Sequence, residues 1–328
     1  MLAIVVREPG GPEQLVWAEV PTPAPRPGEV LVRTAAAGVN RADLLQRRGL
    51  YPPPPGASEL LGLEASGIVE ALGEGVTALS VGDPVIALLP GGGYAEYFTA
   101  AASVCLAPPS GVDLVPAAGL IEAAATVLSN LDAARLAPSE TVLIHGGAGG
   151  VGSFAIQYAR ALGCRVIVTA GSADKLDYCR RLGAEVAIDY HDDWAGQVKA
   201  ATDGRGADVI LDVIGAAYLE PNVATLAIDG RLVIIGTQKG NRGTLDIGRL
   251  LTKRGVVMAT SLRGRPLEAK AAICARVAER VWPLYEDGRI GLPETAVIPM
   301  PEAARAHELL DSGASKGKIV LVSSPFAR

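Results

Sequence analysis

The chain has 328 residues and a net charge of −5, with 49% apolar and 20% charged residues. This length buries a large core but exceeds one domain of ordinary size, which predicts two domains. Acids and bases are interspersed, which argues against a nucleic-acid surface and against docking to a membrane. The apolar run at the start has the length of a strand, and no uncharged stretch reaches the roughly 18 apolar residues of a membrane span, so a cytoplasmic protein is expected.

The first part of the chain, residues 1–122, is rich in proline and glycine turns between short β-type runs. Such runs include EVLVRTAA, SGIVEAL and GDPVIALL, and they predict a compact, largely β domain. The tail, residues 264–328, has one long helical segment, a strand at TAVIP, a helix from Pro301 and a closing strand at GKIVLVS. We expect this tail to fold back on the first domain and to leave the active site in the cleft between two lobes.

Residues 123–263 alternate between strand-length and helix-length segments. The strand candidates are TVLIH at 141, RVIVT at 165, EVAID at 185, DVILDV at 208, RLVIIG at 231 and GVVMAT at 255. Short β-branched runs separated by helices are typical of parallel strands that are buried on both faces. The predicted fold class is therefore α/β, with a Rossmann doubly wound parallel sheet in this second domain.

A glycine-rich turn, IHGGAGGVGSF, follows the first of these strands and opens a helix. Gly147, Gly149 and Gly152 fit the G-x-G-x-x-G pattern, in which glycines permit a tight turn and let the backbone approach a pyrophosphate. The helix N-terminus then supplies amide donors to the anion, so the pattern predicts a dinucleotide site. The helix positions predicted to pack on the sheet are Val151, Ala155, Tyr158, Ala159 and Leu162.

The end of the second strand, in VIVTAGSADK, lacks the acidic residue that commonly holds the ribose 2′-hydroxyl of NAD. The first acid is Asp174, which is already beyond the strand. Gly171 and Ser172 offer space, a backbone amide and a hydroxyl, and Lys175 can reach a 2′-phosphate. One charge-assisted hydrogen bond of roughly 1.5–3 kcal/mol favours the phosphorylated cofactor about 10- to 150-fold, so NADPH is predicted. The alternative is an N-capped helix start with a solvated lysine.

Six segments that cover essentially the whole chain resemble one known family. They are NRADLLQRRGLYPPPPGAS (40–58), LGLEASG (61–67), ALLPGGG (87–93), VLIHGGAGGVG (142–152), VTAGSADKL (168–176) and LDVIGAAYLEPN (211–222). On these motifs the chain resembles the zinc-free quinone oxidoreductases of the medium-chain dehydrogenase/reductase superfamily, most closely the p53-inducible branch. The resemblance implies a GroES-like, mainly β catalytic domain, a Rossmann domain, and NADPH-dependent reduction of a small-molecule quinone.

The predicted cofactor-binding residues come from the glycine turn and from this resemblance. They are Thr126, Gly147, Ala148, Gly149, Gly150, Val151, Gly152, Gly171, Ser172, Lys175, Tyr190 and Gly236. In the family, Gly171, Ser172, Lys175 and Tyr190 match positions around the adenosine 2′-phosphate, and Thr126 matches a position next to the nicotinamide. The family branch often has proline where this chain has Ile121. The resemblance therefore does not predict the backbone conformation at this position.

The resemblance also implies that no metal takes part. Zinc-dependent relatives carry cysteine and histidine where this chain has Asn40 and Leu63, and nothing with metal-ligand spacing replaces them. The catalytic residues implied by the family's motif are Tyr51, Asn40 and Asp43. The Tyr51 phenol can orient a substrate oxygen or pass it a proton, or it can be only an aromatic wall. Asn40 and Asp43 can equally be supports or loop caps.

Other polar residues have structural interpretations at this stage. The cysteines at 105, 164, 179 and 274 form no CxxC pair and no cluster with histidine, which indicates idle thiols. His145 is expected to pack or hydrogen-bond at a strand end. His307 is expected on a surface helix and His191 in a solvated loop. The pair Arg47–Arg48 and the pair Arg180–Arg181 are expected on exposed faces.

The last strand candidate, around Val256–Thr260, is predicted to be an apolar edge of the cofactor sheet. Such an edge invites pairing with a second copy, and relatives form dimers through it, so a homodimer is predicted. The predicted activity is NADPH:quinone reduction. The alternatives are an NADPH-dependent reductase of 2-enoyl thioesters, which reduces an activated C=C bond, and an NADPH-binding protein with low turnover.

Overall fold

A computed structural model describes residues 1–326 of the chain, and these divide into two units. The first unit contains Met1–Ala125, Leu262–Gly288 and the residues from Leu292 onward. The second contains Thr126–Ser261 and the short segment Arg289–Gly291. The active-site cleft expected between two lobes stays a prediction.

Strands form the sheets of the first unit and the central sheet of the second. In chain order they are β1 Leu2–Val6, β2 Leu15–Glu19, β3 Glu29–Val39, β4 Glu64–Leu72, β5 Pro84–Leu88, β6 Tyr97–Ala101, β7 Cys105–Leu106, β8 Thr141–His145, β9 Arg165–Ala170, β10 Val186–Asp189, β11 Ala207–Asp212, β12 Leu226–Ile234, β13 Val256–Ala259, β14 Thr295–Pro299 and β15 Lys318–Val322.

Helices follow most strands of the second unit, and others lie in the first. In chain order they are α1 Arg41–Arg47, α2 Leu114–Ala117, α3 Ile121–Ala133, α4 Gly150–Ala161, α5 Ala173–Leu182, α6 Trp194–Ala201, α7 Leu219–Thr225, α8 Ile247–Lys253, α9 Leu267–Arg280, α10 Trp282–Glu286 and α11 Ala303–Asp311.

The second unit is built on a parallel sheet with the strand order β10-β9-β8-β11-β12-β13. All five residues of β8 are buried, as expected of a central strand that is covered on both faces. The doubly wound parallel sheet predicted from the sequence is confirmed. Because the strands are parallel, their carboxyl ends meet at one edge, where ligands bind in folds of this kind.

The first unit contains a mixed sheet with the order β14-β15-β3-β4-β5-β7, and β6 also pairs with β3. The tail contributes β15, which pairs antiparallel with the end of β3 from Ala36 to Val39. The tail therefore adds strands to the sheet of the first unit. The last residue of β3 is followed directly by Asn40 and by α1.

Helix α4 differs in one respect from the sequence prediction. Ala155, Tyr158 and Ala159 are buried as expected, but Val151 and Leu162 are only half-buried. The buried face instead includes Gly152, Ser153, Phe154 and Ile156. The buried face of α4 is therefore wider than the stripe predicted from the sequence, because neighbours enclose the helix on more than its sheet side. The prediction was wrong for Val151 and Leu162, at the edges of the predicted stripe.

Among the described residues, one helical stretch, Leu114–Ala133, is long and apolar enough to cross a membrane by length and composition. In its most apolar window 72% of the residues are buried inside the structure. Core helices of soluble proteins pass the same test, so the stretch is weak support for a membrane span.

All four cysteines are free thiols. Burial raises the pKa of the Cys105, Cys179 and Cys274 thiols to about 12. Burial and the nearby carboxylates of Glu140 and Asp208 raise the pKa of Cys164 to about 11. The thiols are therefore protonated at neutral pH, in agreement with the interpretation of idle cysteines.

Candidate functional site

The glycine turn lies at the carboxyl end of β8, and two of its glycines are required by the packing of the turn itself. A Cβ atom on Gly152 would lie 2.3 Å from the carbonyl oxygen of Gly146, and one on Gly147 would lie 2.9 Å from the Cβ of Val168. The nearest atom to a Cβ on Gly149 would be 3.7 Å away. Gly149 therefore faces open space, where its backbone can approach a ligand.

The turn ends at the first residues of α4, with Gly149 as the residue before the helix. The amide of Gly149 donates to Gly146 and that of Ser153 donates to Gly149. Helix geometry leaves the amides of Gly150, Val151 and Gly152 without intrahelical acceptors. Three donors at a helix N-terminus form a site for an anion such as a pyrophosphate. The predicted residues from Gly147 to Gly152 fit a dinucleotide.

The ends of β9 and β10 form a second part of this edge. The amide of Tyr190 donates to Ala170 at 3.1 Å, and a Cβ on Gly171 would lie 2.3 Å from the Tyr190 hydroxyl oxygen. Ser172 caps α5, because its hydroxyl accepts from the amide of Lys175 at 3.4 Å. The structure therefore brings together the four residues predicted around a 2′-phosphate.

Lys239 joins this group, although the sequence reasoning did not single it out. Its Nζ lies 5.3 Å from the centre of the Tyr190 ring, within the range of a cation–π contact. Lys239 follows Gly236 in the loop after β12, and the amide of Lys239 donates to Ile214 at 2.8 Å. Only the topology of the sheet places this loop next to Tyr190, so spacing alone gave no signal for it.

His145 lies under the glycine turn as a buried, neutral side chain. One ring nitrogen, Nε2, is 2.8 Å from Asn222 Oδ1, and Nδ1 is 3.0 Å from the Thr169 hydroxyl. Burial lowers the pKa of His145 to about 4. The expected packing and hydrogen-bonding role at the strand end is confirmed. His191, as expected, is exposed and pairs with Asp189.

In the first unit, Asn40 and Asp43 organise the start of α1. The buried carboxylate of Asp43 accepts from the amide of Asn40 at 2.7 Å and from the amide of Gly62 at 3.0 Å. Burial raises the pKa of Asp43 to about 6, although these amides oppose the rise. Asp43 therefore ties β3, α1 and the segment before β4 together, which is the supporting role that the sequence left open beside a catalytic one.

The side chain of Asn40 belongs to a buried charge cluster. Lys318, from the first residue of β15, donates to Asn40 Oδ1 at 2.6 Å and forms an ion pair with Glu64. Glu64 also accepts from Asn40 Nδ2 at 2.9 Å and from the amide of Glu122 at 3.0 Å. Lys318 is 3% exposed and Glu64 is fully buried. The ammonium group places a fixed positive charge beside Asn40.

This cluster does not fit a metal ion. Asn40 and the apolar Leu63, which the family resemblance matches to the ligand positions of zinc-dependent relatives, offer no histidine or cysteine, and the Lys318 ammonium repels a divalent cation. Across residues 1–326, no group of three or more His, Cys, Asp or Glu side chains is placed to hold a metal. Glu122 at the start of α3 is a carboxyl whose pKa is raised to about 8 by burial and by the charge of Glu64.

A chain of buried hydrogen bonds leads from Asp43 to α11. Tyr94 donates from its hydroxyl to Asp43 at 3.2 Å, and the same oxygen is 3.3 Å from His307 Nε2. Arg47 Nη1 is 3.2 Å from His307 Nδ1. Since arginine only donates, His307 accepts at Nδ1 and donates at Nε2. Burial and the charges of Arg47 and Arg48 lower the pKa of His307 to about 3.

Two sequence expectations were therefore wrong. His307 is fully buried rather than on a surface face, and Arg47 is 1% exposed rather than solvated. Both were read as polar surface residues because their partners, Tyr94 and the backbone of Gly10, are distant in sequence. Arg180 and Arg181 are exposed, as expected.

Tyr51 lies in the segment between α1 and β4, and its half-buried ring is covered on one face by Arg263. The guanidinium carbon of Arg263 is 5.2 Å from the ring centre. Thr126, which was predicted next to the nicotinamide, lies on α3, where its carbonyl accepts from Asn130 Nδ2 at 2.7 Å. Gly236 follows β12, and a Cβ there would lie 2.7 Å from the carbonyl oxygen of Val213.

A parallel sheet with a glycine turn at its carboxyl edge is typical of nucleotide-dependent dehydrogenases and reductases. Comparison with protein families finds an alcohol dehydrogenase GroES-like domain over residues 26–110 and a zinc-binding dehydrogenase domain over residues 150–278. A quinone oxidoreductase of Pseudomonas aeruginosa is 35% identical over 95% of this chain and 97% of its own length. The chain belongs to the medium-chain dehydrogenase/reductase superfamily, and its predicted fold class is confirmed.

Two further proteins are similar over the whole chain. A 2-haloacrylate reductase of a Burkholderia species is 33% identical over 98% of this chain and 99% of its own length. The structure of Escherichia coli quinone oxidoreductase complexed with NADPH has 31% identity and a TM-score of 0.89, and the match covers 98% of this chain and all of that one. Membership of the p53-inducible branch stays a prediction.

Proposed function

We propose that this protein is a zinc-independent NADPH:quinone oxidoreductase. In this proposal residues 123–263 form the NADPH-binding domain, and residues 1–122 and 264–328 form the catalytic domain. The observation that carries it is an anion-binding glycine turn at the same sheet edge as the end of β9, where glycine follows the strand in place of an acidic residue and Lys175 lies on the next helix. A similar quinone oxidoreductase of known structure is complexed with NADPH, which supports the choice of cofactor.

The preference for NADPH follows from the groups around Tyr190. Gly171 and Ser172 present an amide and a hydroxyl, Lys175 follows them on the first turn of α5, and the Lys239 ammonium lies 5.3 Å from the Tyr190 ring. A carboxylate directly after β9 would repel a 2′-phosphate, but the residue at that position is Gly171, which has no side chain. Each charge-assisted contact contributes roughly 1.5–3 kcal/mol, so the loss of one cation weakens NADPH binding without removing it.

Bound NADPH supplies the hydride, and the protein supplies position and protons. Reduction of a quinone by a hydride leaves an oxyanion, which needs a proton to become the hydroquinone. We infer that the Tyr51 phenol orients this oxygen and passes it a proton. Asn40 and Asp43 hold the start of α1 and so the segment that leads to Tyr51.

Zinc independence rests on the chemistry of the donor set. Asn40 faces the Lys318 ammonium and not a metal, and Leu63 offers no donor. Lys318 places a fixed positive charge beside Asn40 without a Lewis acid. A quinone accepts electrons readily, which suits a site that lacks a polarising metal.

A second candidate function is reduction of an activated C=C bond, such as that of a 2-enoyl thioester. It is favoured by the similarity to a 2-haloacrylate reductase, whose name describes an activated alkene as its substrate. A tyrosine donor serves either reaction, because both leave a site that needs one proton. A third candidate, an NADPH-binding protein with low turnover, is recognised by cofactor binding without oxidation by any acceptor.

The test compares oxidation of NADPH and of NADH by the purified protein after dialysis against a chelator, with an ortho-quinone and with crotonyl-CoA as acceptors. Fast NADPH oxidation with the quinone alone supports the proposal. Turnover with crotonyl-CoA instead moves the assignment to alkene reduction. A preference for NADH contradicts the 2′-phosphate argument, and loss of activity on chelation contradicts zinc independence.

We further propose a homodimer that pairs through the edge strand β13. Val256 at its start is 41% exposed, and within residues 1–326 the strand pairs only with β12. Ile247 and Leu251 on α8 are also exposed apolar side chains, at 64% and 72%. A monomer by light scattering at assay concentrations would refute this. The cytoplasmic location stays part of the proposal and rests on composition alone.

A further inference from the structure

Arg263 is a buried arginine that contacts both the backbone and the ring of Tyr51. It is 5% exposed and belongs to the first unit, just after the chain leaves β13. Its Nε donates to the carbonyl of Pro90 at 2.7 Å, Nη1 to the carbonyl of Tyr51 at 3.3 Å, and Nη2 to Gln46 Oε1 at 2.7 Å. The same guanidinium lies over the Tyr51 ring.

The segment that carries Tyr51 has few backbone interactions of its own. It runs from Gly49, with a φ of +73°, into the prolines at 52–55. Proline has no amide hydrogen, so four successive residues cannot donate a backbone hydrogen bond. The segment contains no helix or strand before β4 begins at Glu64. Its geometry therefore depends strongly on side chains from elsewhere in the unit.

Arg263 meets this need in three directions. It connects the backbone at Tyr51, the end of α1 through Gln46, and the glycine-rich loop that follows β5 through Pro90. Gln46 extends the connection, because its Nε2 donates to the carbonyl of Glu59 at 2.9 Å. The planar, five-donor guanidinium can hold three acceptors in one plane and still present its face to an aromatic ring, which an ammonium cannot do.

We infer that Arg263 is a positioning residue that holds the backbone and ring of Tyr51 in the arrangement from which the phenol acts on substrate. This inference rests on the proposed role of Tyr51 in the reaction. The guanidinium covers one face of the Tyr51 ring. Its Nη1 also donates to the backbone carbonyl of Tyr51. Loss of the guanidinium removes both of these contacts to Tyr51, while the cofactor residues of the second unit keep their own contacts.

The first test is a double-mutant cycle. Arg263→Ala should lower kcat with the quinone about 10- to 100-fold, as expected when a reacting group is misplaced, and leave the dissociation constant of NADPH within about twofold. In a Tyr51→Phe background the same change should cost less than about threefold, because its effect passes through the phenol. Full additivity of the two changes would overturn the inference.

A physical readout separates positioning from turnover. With 3-fluorotyrosine placed at position 51, the wild-type ring should give one ¹⁹F resonance displaced from that of the free amino acid. Arg263→Ala should move it toward the free value or split it, and Arg263→Lys should give an intermediate result. An unchanged resonance in Arg263→Ala would overturn the inference, whatever the activity.

The matched control is Arg231→Ala. Arg231 is also a largely buried arginine with several acceptors, including Glu140 and the carbonyl of Ala134, but it lies in the second unit. It should lower stability without moving the fluorine signal or kcat. If Arg263→Ala does not fold, Arg263→Lys and Gln46→Ala carry the same test.

Failure of the proposed function would look different. If Tyr51→Phe reacts at the wild-type rate, the phenol is not the proton donor, and the fluorine resonance still decides whether Arg263 holds the ring. If Tyr51→Phe is impaired and Arg263→Ala is not, the proposed function stands and the positioning role is wrong.

Discussion

The two candidate sites of this molecule are built from different chemical groups, one mainly from backbone and the other from side chains. The cofactor edge of the second unit is built mainly from backbone, with glycines that admit a turn and amides that face an anion. The proposed catalytic region of the first unit is built from buried side chains that come from distant parts of the chain, among them Lys318, Glu64, Asp43 and Tyr94. A backbone site tolerates change around it but not in its glycines, whereas a side-chain network fails when any charged member is removed.

The largest effect is expected at the buried ion pair. Lys318→Met leaves the Glu64 carboxylate buried without its counter-charge, so we expect a loss of about 3–5 kcal/mol in the free energy of unfolding, measured with urea. Adding Glu64→Gln in the same chain should recover part of this loss. If the single and double variants were equally unstable, the uncompensated charge would not be the cause.

The next effect is expected at the glycine turn. Gly152→Ala brings a Cβ into the carbonyl of Gly146, and we expect a loss of about 3 kcal/mol in stability together with loss of NADPH binding. Gly149→Ala is the control, because its Cβ meets no atom closer than 3.7 Å. This variant should fold normally and weaken only the binding of NADPH, as measured by fluorescence titration. Equal thermal stability of the two variants would refute the packing argument.

Each unit has one buried histidine whose pKa is lowered, His145 in the second and His307 in the first. An unfolded histidine takes up a proton near pH 6.5, but these do not until about pH 4 and about pH 3, so acidification favours the unfolded chain. Between pH 7 and pH 5 each should contribute about 2 kcal/mol of lost stability.

Replacing either histidine with glutamine should remove its share of this pH dependence. The buried acid Asp43 acts with the opposite sign, since its raised pKa favours the folded state as the pH falls. The difference between wild type and variant at each pH is therefore the quantity to measure. A variant whose stability falls as steeply as that of the wild type would contradict the assignment.

The smallest effect is expected at the 2′-phosphate group. Lys175→Ala or Lys239→Ala should weaken NADPH binding about tenfold and leave NADH binding nearly unchanged, because each removes one charge-assisted contact. Titration of both nucleotides against both variants measures this. Arg180→Ala, an exposed arginine on α5, is the control. Equal losses for NADPH and NADH would show that the lysines do not read the phosphate.

The difference between a backbone site and a side-chain network explains what could be predicted from the sequence. The turn from Gly147 to Gly152 and the strand end at Gly171 are local patterns, and spacing was enough to find them. Lys239 and Arg263 reach their sites only through strand order and the returning tail, which spacing does not encode. His307 and Arg47 were misjudged because a polar residue on a helix reads as exposed until its partner, 260 positions away in the chain, is known.

The four protonated thiols have a consequence for an enzyme of the proposed kind. Quinones are electrophiles that add to thiolates, and the thiolate is the reactive form of cysteine. With thiol pKa values of about 11–12, roughly one cysteine in ten thousand or fewer is ionised at neutral pH. We therefore expect these cysteines to be alkylated only slowly by quinones, the compounds that the protein is proposed to reduce.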